Sequence, residues 1–365
     1  VPANRHTFAP GDELPSRSDA ASRAVVAAWR RLTASEGWTT ARTADADRRT
    51  LVACSGGADS AALAICLAGA SAGARRSVVL GHVVHDLRPA SLALADRDRA
   101  RGLALRLGVE FVEREVRVVA MAGNAEANAR RARYAALVEM AREAGCPFVA
   151  TAHHADDQLE TLLMRLVRGS GLRGLACIHA SRRLAEGVRL VRPMLVARRE
   201  DSLRICALAG YEPAVDATNA DTTRLRAALR AGVLPVLEQL NRGVAAHAVE
   251  IAMAAREAQS LVRRRALGLV HLERAESSAI SGAWLDVGEV REAGELVAAE
   301  AIVLAARRVS GEPDLAMPRR RLAAIVRAVW SGRPRVRTFR VRAGSGDLVG
   351  TLSAERLAWR LEART

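Results

Sequence analysis

Between residues 48 and 209, short apolar runs alternate with stretches whose apolar residues recur at helical spacing, and this rhythm narrows the choice of folds more than anything else in the chain. Residues 51–54, the valine-rich 77–84, then 109–116 and 147–152 read as strands. Residues 58–70, 92–107, 125–144 and 156–167 read as helices, with Gly108 and Gly145 as their stops. A further strand is expected at 190–195 and a further helix at 198–209. Strand–helix–strand units of this length need right-handed crossovers. The prediction is therefore an α/β fold, a parallel sheet with helices on both faces.

Outside this region the pattern changes. Residues 1–47 read as a lead-in with one helix over 18–32, and 48–235 form the alternating domain. Residues 236–330 are rich in alanine, arginine, leucine and valine, with few strand signals, and are expected to be a helical second domain. After a break at 331–334 comes a small basic tail, 331–365, in which 336–341 and 348–352 suggest a hairpin around a glycine-containing turn.

Charge limits the partners. The 55 basic residues are all arginine; against 40 acidic residues the net charge is +15. The absence of lysine excludes a Walker-type phosphate loop, a Schiff-base lysine and a lysyl-AMP intermediate. A surplus of this size points to a polyanion, most often nucleic acid. Between Arg319 and Arg342 stand nine arginines and no acid, with Trp330 and Phe339 interleaved. That composition suits RNA, with guanidinium groups on phosphates and aromatics on unpaired bases. Cys54, Cys66, Cys146, Cys177 and Cys206 are scattered, with no CxxC pair to suggest a zinc or iron–sulfur site. No apolar run reaches the roughly 18 residues of a membrane span, and residues 1–20 show no export signal, so a cytoplasmic protein without a membrane partner is expected.

The sharpest local signal is Cys54-Ser55-Gly56-Gly57-Ala58-Asp59-Ser60, which directly follows a strand and opens a helix. Two glycines let the backbone turn tightly and bring its N–H groups close to a ligand. The helix start adds unpaired donors and the positive end of a dipole, and Ser55 and Ser60 add hydroxyls; this is an anion site. Asp59 beside phosphates implies a cation between them, which predicts Mg²⁺.

A second cluster, Ala152-His153-His154-Ala155-Asp156-Asp157-Gln158-Leu159-Glu160-Thr161, runs from a strand end into a helix. Asp157 and Glu160, three apart, would share a helix face. His153 would lie at the carboxyl end of its strand, where open α/β sheets bind ligands. Such a set can hold Mg²⁺, bind an ammonium group or accept its proton. On the helix after Asn124, Arg130, Arg133, Tyr134 and Leu137 fall on one stripe, so both arginines could reach phosphate or RNA while Leu137 packs inward.

The loop SGGADS after a first strand resembles the PP-loop of the ATP pyrophosphatases, which split ATP between the α and β phosphates and pass AMP to a substrate oxygen. Further motifs follow in order: His85-Asp86-Leu87-Arg88, the Asn124–Tyr134 segment, Arg168-Gly169-Ser170-Gly171-Leu172-Arg173-Gly174-Leu175, Arg192-Pro193-Met194-Leu195, and residues 216–221 with Arg226 and Arg230. Together, over about 51–235, these are similar to the tRNA(Ile)-lysidine synthetase family. Two positions depart from its pattern: Asp86 stands where glycine is usual, and Ala227 where asparagine is usual.

The resemblance implies a Rossmann-like PP-loop domain that uses ATP and Mg²⁺. It implies adenylation of the wobble cytidine in the CAU anticodon of tRNA(Ile), followed by attack of free L-lysine. Ser55, Gly56, Gly57, Ala58, Asp59 and Ser60 are then the expected ATP site, with Asp59 and Asp157 as Mg²⁺ ligands. Asp59, His153, Asp157, Glu160, Arg130 and Arg133 are the expected catalytic set, and Arg226, Arg230, Arg319, Arg320 and Arg321 the expected RNA contacts. The rivals are a tRNA-thiolating PP-loop enzyme, for which paired cysteines would be expected, and a non-catalytic RNA-binding protein. A homodimer is compatible with the sequence.

Overall fold

Leu51 and Val52 are both fully buried, on opposite faces of one central strand, and the first half of the molecule is organised around them. The computed structural model describes residues 14, 18–34, 44–71, 73–86, 89–118, 125–213, 225–275, 280–331, 336–344 and 346–362. The motif residues Leu87, Arg88 and Asn124 and residues 216–221 lie outside that set, as does the side chain of Glu126. The chain divides into two compact units, Val1–Met253 and Ala254–Thr365.

In chain order the first unit contains α1 (Ala20–Thr33), β1 (Thr50–Ala53), α2 (Ala58–Ala68), β2 (Val78–His85), α3 (Ala90–Leu107), β3 (Glu110–Val116), α4 (Ala125–Glu143), β4 (Phe148–Ala150) and α5 (Ala155–Val167). It continues through α6 (Leu172–Leu175), β5 (Ser181–Ala185), β6 (Val188–Val191), α7 (Arg199–Leu208), α8 (Leu225–Gly232) and α9 (Leu234–Leu240). The six strands form one sheet in the order β3-β2-β1-β4-β6-β5. All neighbours are parallel except β5 and β6, an antiparallel hairpin closing one edge.

Burial explains the strands. Val52, Leu80 and Phe148 face the cluster that includes α1, α2 and α7, whereas Leu51, Val79 and Val149 face α4 through Leu137 and Met140. A strand covered on both sides needs apolar residues throughout, and that is why these segments read as unbroken runs. α2 is buried from Ser60 to Ala68, and its small side chains let it lie close to the sheet. α3 ends where expected: Gly108 takes the left-handed conformation at φ 65° and its N–H caps the carbonyls of Ala104 and Leu105.

The expected strand at 190–195 is instead β6 followed by a helical turn at Pro193–Val196, because Pro193 has no N–H to give a ladder. β5 had no counterpart in the sequence reading. Arg182 and Arg183 are exposed there, so the strand never presents an apolar run.

α10 (Val244–Leu267) contains the boundary between the units. The second unit then holds β7 (His271–Arg274), β8 (Ile280–Asp286), α11 (Val287–Glu292), α12 (Glu295–Ser310), α13 (Arg319–Trp330), β9 (Arg337–Arg342), β10 (Asp347–Leu352) and β11 (Arg356–Glu362). The helices expected after Pro235 are present, and β9–β10 is the expected hairpin. The two strands β7 and β8 were not expected. They join the tail in an antiparallel sheet, β7-β8-β11-β10-β9, where Leu285 faces Leu357 across β8 and β11. The boundary placed at residue 330 therefore separates strands that pair. Leu285, Leu348, Leu357 and the fully buried Trp359 pack against Ile302, Ala305 and Ile325 of the helices to form this unit's core. Among the described residues no helix is long and apolar enough to cross a membrane.

Candidate active site

The strand order reverses direction at β1. Its neighbours β2 and β4 continue through crossovers on opposite sides, so the carboxyl ends of β1 and β4 flank an open crevice. Two loops line it: residues 54–57 after β1 and 151–154 after β4.

The first loop is held in shape by glycine and hydroxyls. Gly56 has φ +85°, and a Cβ there would stand 3.0 Å from the backbone oxygen of Asp96 on α3. No other residue meets both conditions without movement. The Ser55 N–H donates to Ser60 Oγ at 3.1 Å, and that hydroxyl donates to the Gly57 carbonyl at 3.1 Å. His82 Nδ1–H donates to the Cys54 carbonyl at 2.8 Å and ties the loop to β2. Burial pushes the His82 pKa down despite that bond, which keeps the ring neutral. Gly57 is the N-cap of α2 and supplies no side-chain cap, so the first N–H groups of α2 point toward the crevice for a ligand to satisfy. Asp59, in that first turn, has a buried Oδ1 with no hydrogen-bond partner among the described residues.

The second loop leads into α5, whose N-cap is His154. The Asp157 carboxylate accepts the His154 N–H at 3.0 Å. His154 Nδ1 lies 3.3 Å from both the Asp157 N–H and Asp156 Oδ2. Unprotonated it would accept from the first; protonated it donates to the second. Its Nε2 lies 3.7 Å from Asp59 Oδ2 and 3.6 Å from Asp157 Oδ2. Burial alone would lower its pKa, but the hydrogen bond to Asp156 and the charges of Asp157 and Asp59 outweigh it and raise the value. Asp156 is held at about 2: burial opposes ionisation, but His154, the Arg199 N–H and Arg198 favour it more strongly.

His153, one residue earlier, behaves oppositely. Burial and the neighbouring Arg192 bring its pKa down to about 4, with Asp157 pulling the other way. Thr151 Oγ1 sits 3.0 Å from its Nδ1. The pKa values of two adjacent histidines are thus moved in opposite directions.

Asp157 and Glu160 share a face of α5, as their spacing predicts. They are not open, however. Arg226 donates to Asp157 Oδ1 at 2.5 Å and to Glu160 Oε2 at 2.6 Å, and Arg230 donates to Glu160 Oε1 at 2.6 Å. Arg226 and Arg230, expected at RNA, thus bring α8 over α5. On α4, Arg130 and Arg133 are exposed, and the Arg130 guanidinium lies 5.2 Å over the Tyr134 ring. Arg319, Arg320 and Arg321 open α13 in the second unit, all exposed.

Three side chains of the site were not singled out from sequence. His154 stands in capping-box spacing to Asp157, but His153 stands in the same spacing to Asp156, so the sequence marks the pair and not the cap. Arg192, buried beside Tyr134 and His153, lay within a quoted motif. Asp156 lies behind His154, with Oδ2 on that ring and Oδ1 3.3 Å from the Arg198 guanidinium.

Among the described residues no three His, Cys, Asp or Glu side chains are arranged so that they could hold a metal ion by themselves. What the crevice offers is the unpartnered Asp59 oxygen with Asp157 nearby, across His154. One or two carboxylates, completed by phosphate oxygens and water, suit Mg²⁺ rather than a metal held wholly by protein.

A family model described as a PP-loop domain matches residues 32–237. Fold and crevice thus define a PP-loop protein. Of curated relatives, the tRNA(Ile)-lysidine synthase of Salinispora tropica is 46% identical over 191 residues, covering 51% of this chain and 56% of the relative. The tRNA(Ile)-lysidine synthase of Symbiobacterium thermophilum is 39% identical over 271 residues, 72% of this chain and 54% of the relative. That of Bordetella bronchiseptica is 38% identical over 260 residues, 69% and 74% respectively. The chain belongs to the tRNA(Ile)-lysidine synthase family. It spans a little over half the length of the first two relatives. Among solved structures, the U34-tRNA thiolase NcsA from Methanococcus maripaludis, with its 4Fe–4S cluster, matches with a TM-score of 0.51 at 15% identity, covering 65% of this chain and 80% of that one. At that identity the likeness is one of fold.

Proposed function

We propose that this chain joins free lysine to C2 of the wobble cytidine in the CAU anticodon of tRNA(Ile), with ATP as the activating substrate. The observation that carries the reading is the glycine cradle at the switch point, with an unpartnered Asp59 oxygen at its rim. In the first step cytidine O2 forms a bond to the α-phosphorus of ATP as the bond from that phosphorus to the leaving pyrophosphate breaks. In the second, the lysine ε-nitrogen bonds to C2, AMP departs with the oxygen, and the nitrogen gives up two of its three ammonium protons, one before attack and one after.

The α2 N–H groups and Ser55 are suited to bind the phosphates, with the helix dipole favouring negative charge. Asp59 and Asp157 would hold Mg²⁺, which when bound would neutralise phosphate charge. Neutral His153, with Arg130 and Arg133, is suited to orient the adenylated base and its phosphate. Asp157 and Glu160 are carboxylates already made to hold cations, and lysine's ammonium would displace the guanidinium groups of Arg226 and Arg230 from them. That ammonium has an ordinary pKa near 10.4 and must lose a proton before attack.

The cysteines support this reading over thiolation. Cys54, Cys66, Cys146 and Cys206 are buried. Burial pushes the thiols up, to about 12 for Cys66 and Cys206 and about 11 for Cys146, far from nucleophilic thiolates. The test is incubation of the protein with ATP, Mg²⁺, lysine and the cognate tRNA, followed by mass spectrometry of the nucleosides. Lysine-dependent conversion of one cytidine with release of AMP and pyrophosphate is expected. Release without lysine incorporation would overturn the ligation.

A further inference from the structure

Beside the crevice, α4 and the β5–β6 hairpin enclose an open groove of about 500 Å³. Arg130, Arg131 and Arg142 line it from α4 and Arg182 from β5, while Val138 and Leu184 contribute apolar surface. Tyr134 stands among them: the guanidinium groups of Arg130 and Arg182 lie 5.2 and 4.9 Å from its ring centre. The one acid in the lining, Glu139, is neutralised from outside by Arg114 at 3.2 Å. The groove arginines spend their donors on neutral groups. Arg131 donates to the Asn128 side chain and Arg142 to the Glu186 carbonyl. Among the described residues none of the four is in an ion pair with a carboxylate.

One buried side chain links the groove to the crevice. Arg192 reaches the Tyr134 phenol and also acts on His153. Burial alone would raise the Tyr134 pKa, yet Arg130, Arg192 and Arg182 together lower it. The whole wall is thus a strongly positive surface around one aromatic ring. From Arg130 to Arg142 it extends about 18 Å along the helix.

We propose that this groove is a track for the sugar–phosphate backbone of the tRNA where it leaves the crevice. The inference rests on the tRNA reading above. Guanidinium groups spaced along one wall match phosphates, and the apolar strip of Val138 and Leu184 matches ribose.

The test compares the full chain with Arg142→Ala/Arg182→Ala and Arg142→Lys/Arg182→Lys, measuring affinity for the cognate tRNA across a salt series and affinity for ATP. The alanine variant is expected to bind tRNA at least tenfold more weakly at low salt. Its plot of log affinity against log salt should be shallower by about one to two. ATP affinity should stay unchanged, showing an intact fold, and the lysine variant should keep the wild-type slope. Wild-type slope and affinity in the alanine variant would overturn the track while leaving the tRNA reading standing. Wild-type protein that binds no tRNA would overturn both.

Discussion

Arg230 Nε donates to Glu160 Oε1 at 2.6 Å, and the carboxylate it holds is 1% exposed. A buried carboxylate keeps its charge only with a cation beside it, so this position is built for a positive partner whichever one is present. The arginine is itself about a third exposed and comes from α8, outside the sheet. It can therefore give way to solvent when another cation takes its place beside Glu160.

Replacing Glu160 by glutamine separates the two half-reactions. tRNA-dependent ATP–pyrophosphate exchange should stay within about threefold of wild type. Lysine incorporation should fall by about 30-fold or more, since loss of one partner in a desolvated charge pair costs about 2–5 kcal/mol. Equal losses in both assays would remove Glu160 from the lysine site and return it to a purely structural pair.

The cradle makes a sharper contrast. Gly56→Ala forces a left-handed φ on a residue with a Cβ, about 1–2 kcal/mol, and drives that carbon to 3.0 Å from the Asp96 oxygen. Gly57→Ala places its Cβ an ordinary 3.6 Å from Ser55 Oγ. ATP binding followed by calorimetry should be lost or weakened at least tenfold in the first variant and change little in the second. Comparable effects at both positions would mean that the conformation at residue 56 is not what shapes the nucleotide site.

The adjacent histidines give a pH signature. His154 has a folded pKa above its unfolded value of about 6.5, so its stabilisation is full below that value and is lost as pH rises through the folded pKa. His153 lies at about 4, below its unfolded value. As pH falls from about 6.5 toward about 4, the unfolded chain takes up that proton first and stability is lost. At pH 5.5, nitrogen chemical shifts in the imidazole rings should report His153 neutral and His154 cationic. His154→Gln should flatten the fall in urea midpoint as pH rises above about 6.5. Titration of both rings near 6.5 would contradict the charge arrangement drawn for the crevice.

What the sequence reveals follows from the range of the forces involved. The parallel sheet is legible because strands buried on both faces must be apolar along their length, as Leu51 and Val52 are. The cradle is legible because strand, glycines and helix start are contiguous. β5 is hidden because its exposed arginines carry no burial pattern, and β7 and β8 because His271 and Gly282 acquire strand geometry only from pairing, His271 with Trp284 and Gly282 with Glu273 and Arg360. His153 and His154 differ by one position in helix register, and only packing decides which becomes the cap. The pairing of Glu160 with Arg226 and Arg230, which lie 66 and 70 residues further along the chain, has no local trace.

The start of α13 combines two effects that pull in opposite directions. Arg319, Arg320 and Arg321 fill its first turn, where the helix dipole is positive, and the preceding Pro318 offers no side-chain cap. Each cation there is unfavourable by about 0.3–1 kcal/mol at low salt. Meanwhile the burial of Ile325, Val326, Ala328 and Val329 on the other face holds the helix in place. Replacing all three arginines by alanine should therefore leave thermal stability unchanged or raise it slightly. The same change should weaken tRNA binding and lower its salt dependence by up to about three phosphate contacts. A purely structural role predicts the reverse, a fall in stability with no change in the salt slope, and a melting curve beside a salt titration on the same variant tells the two apart.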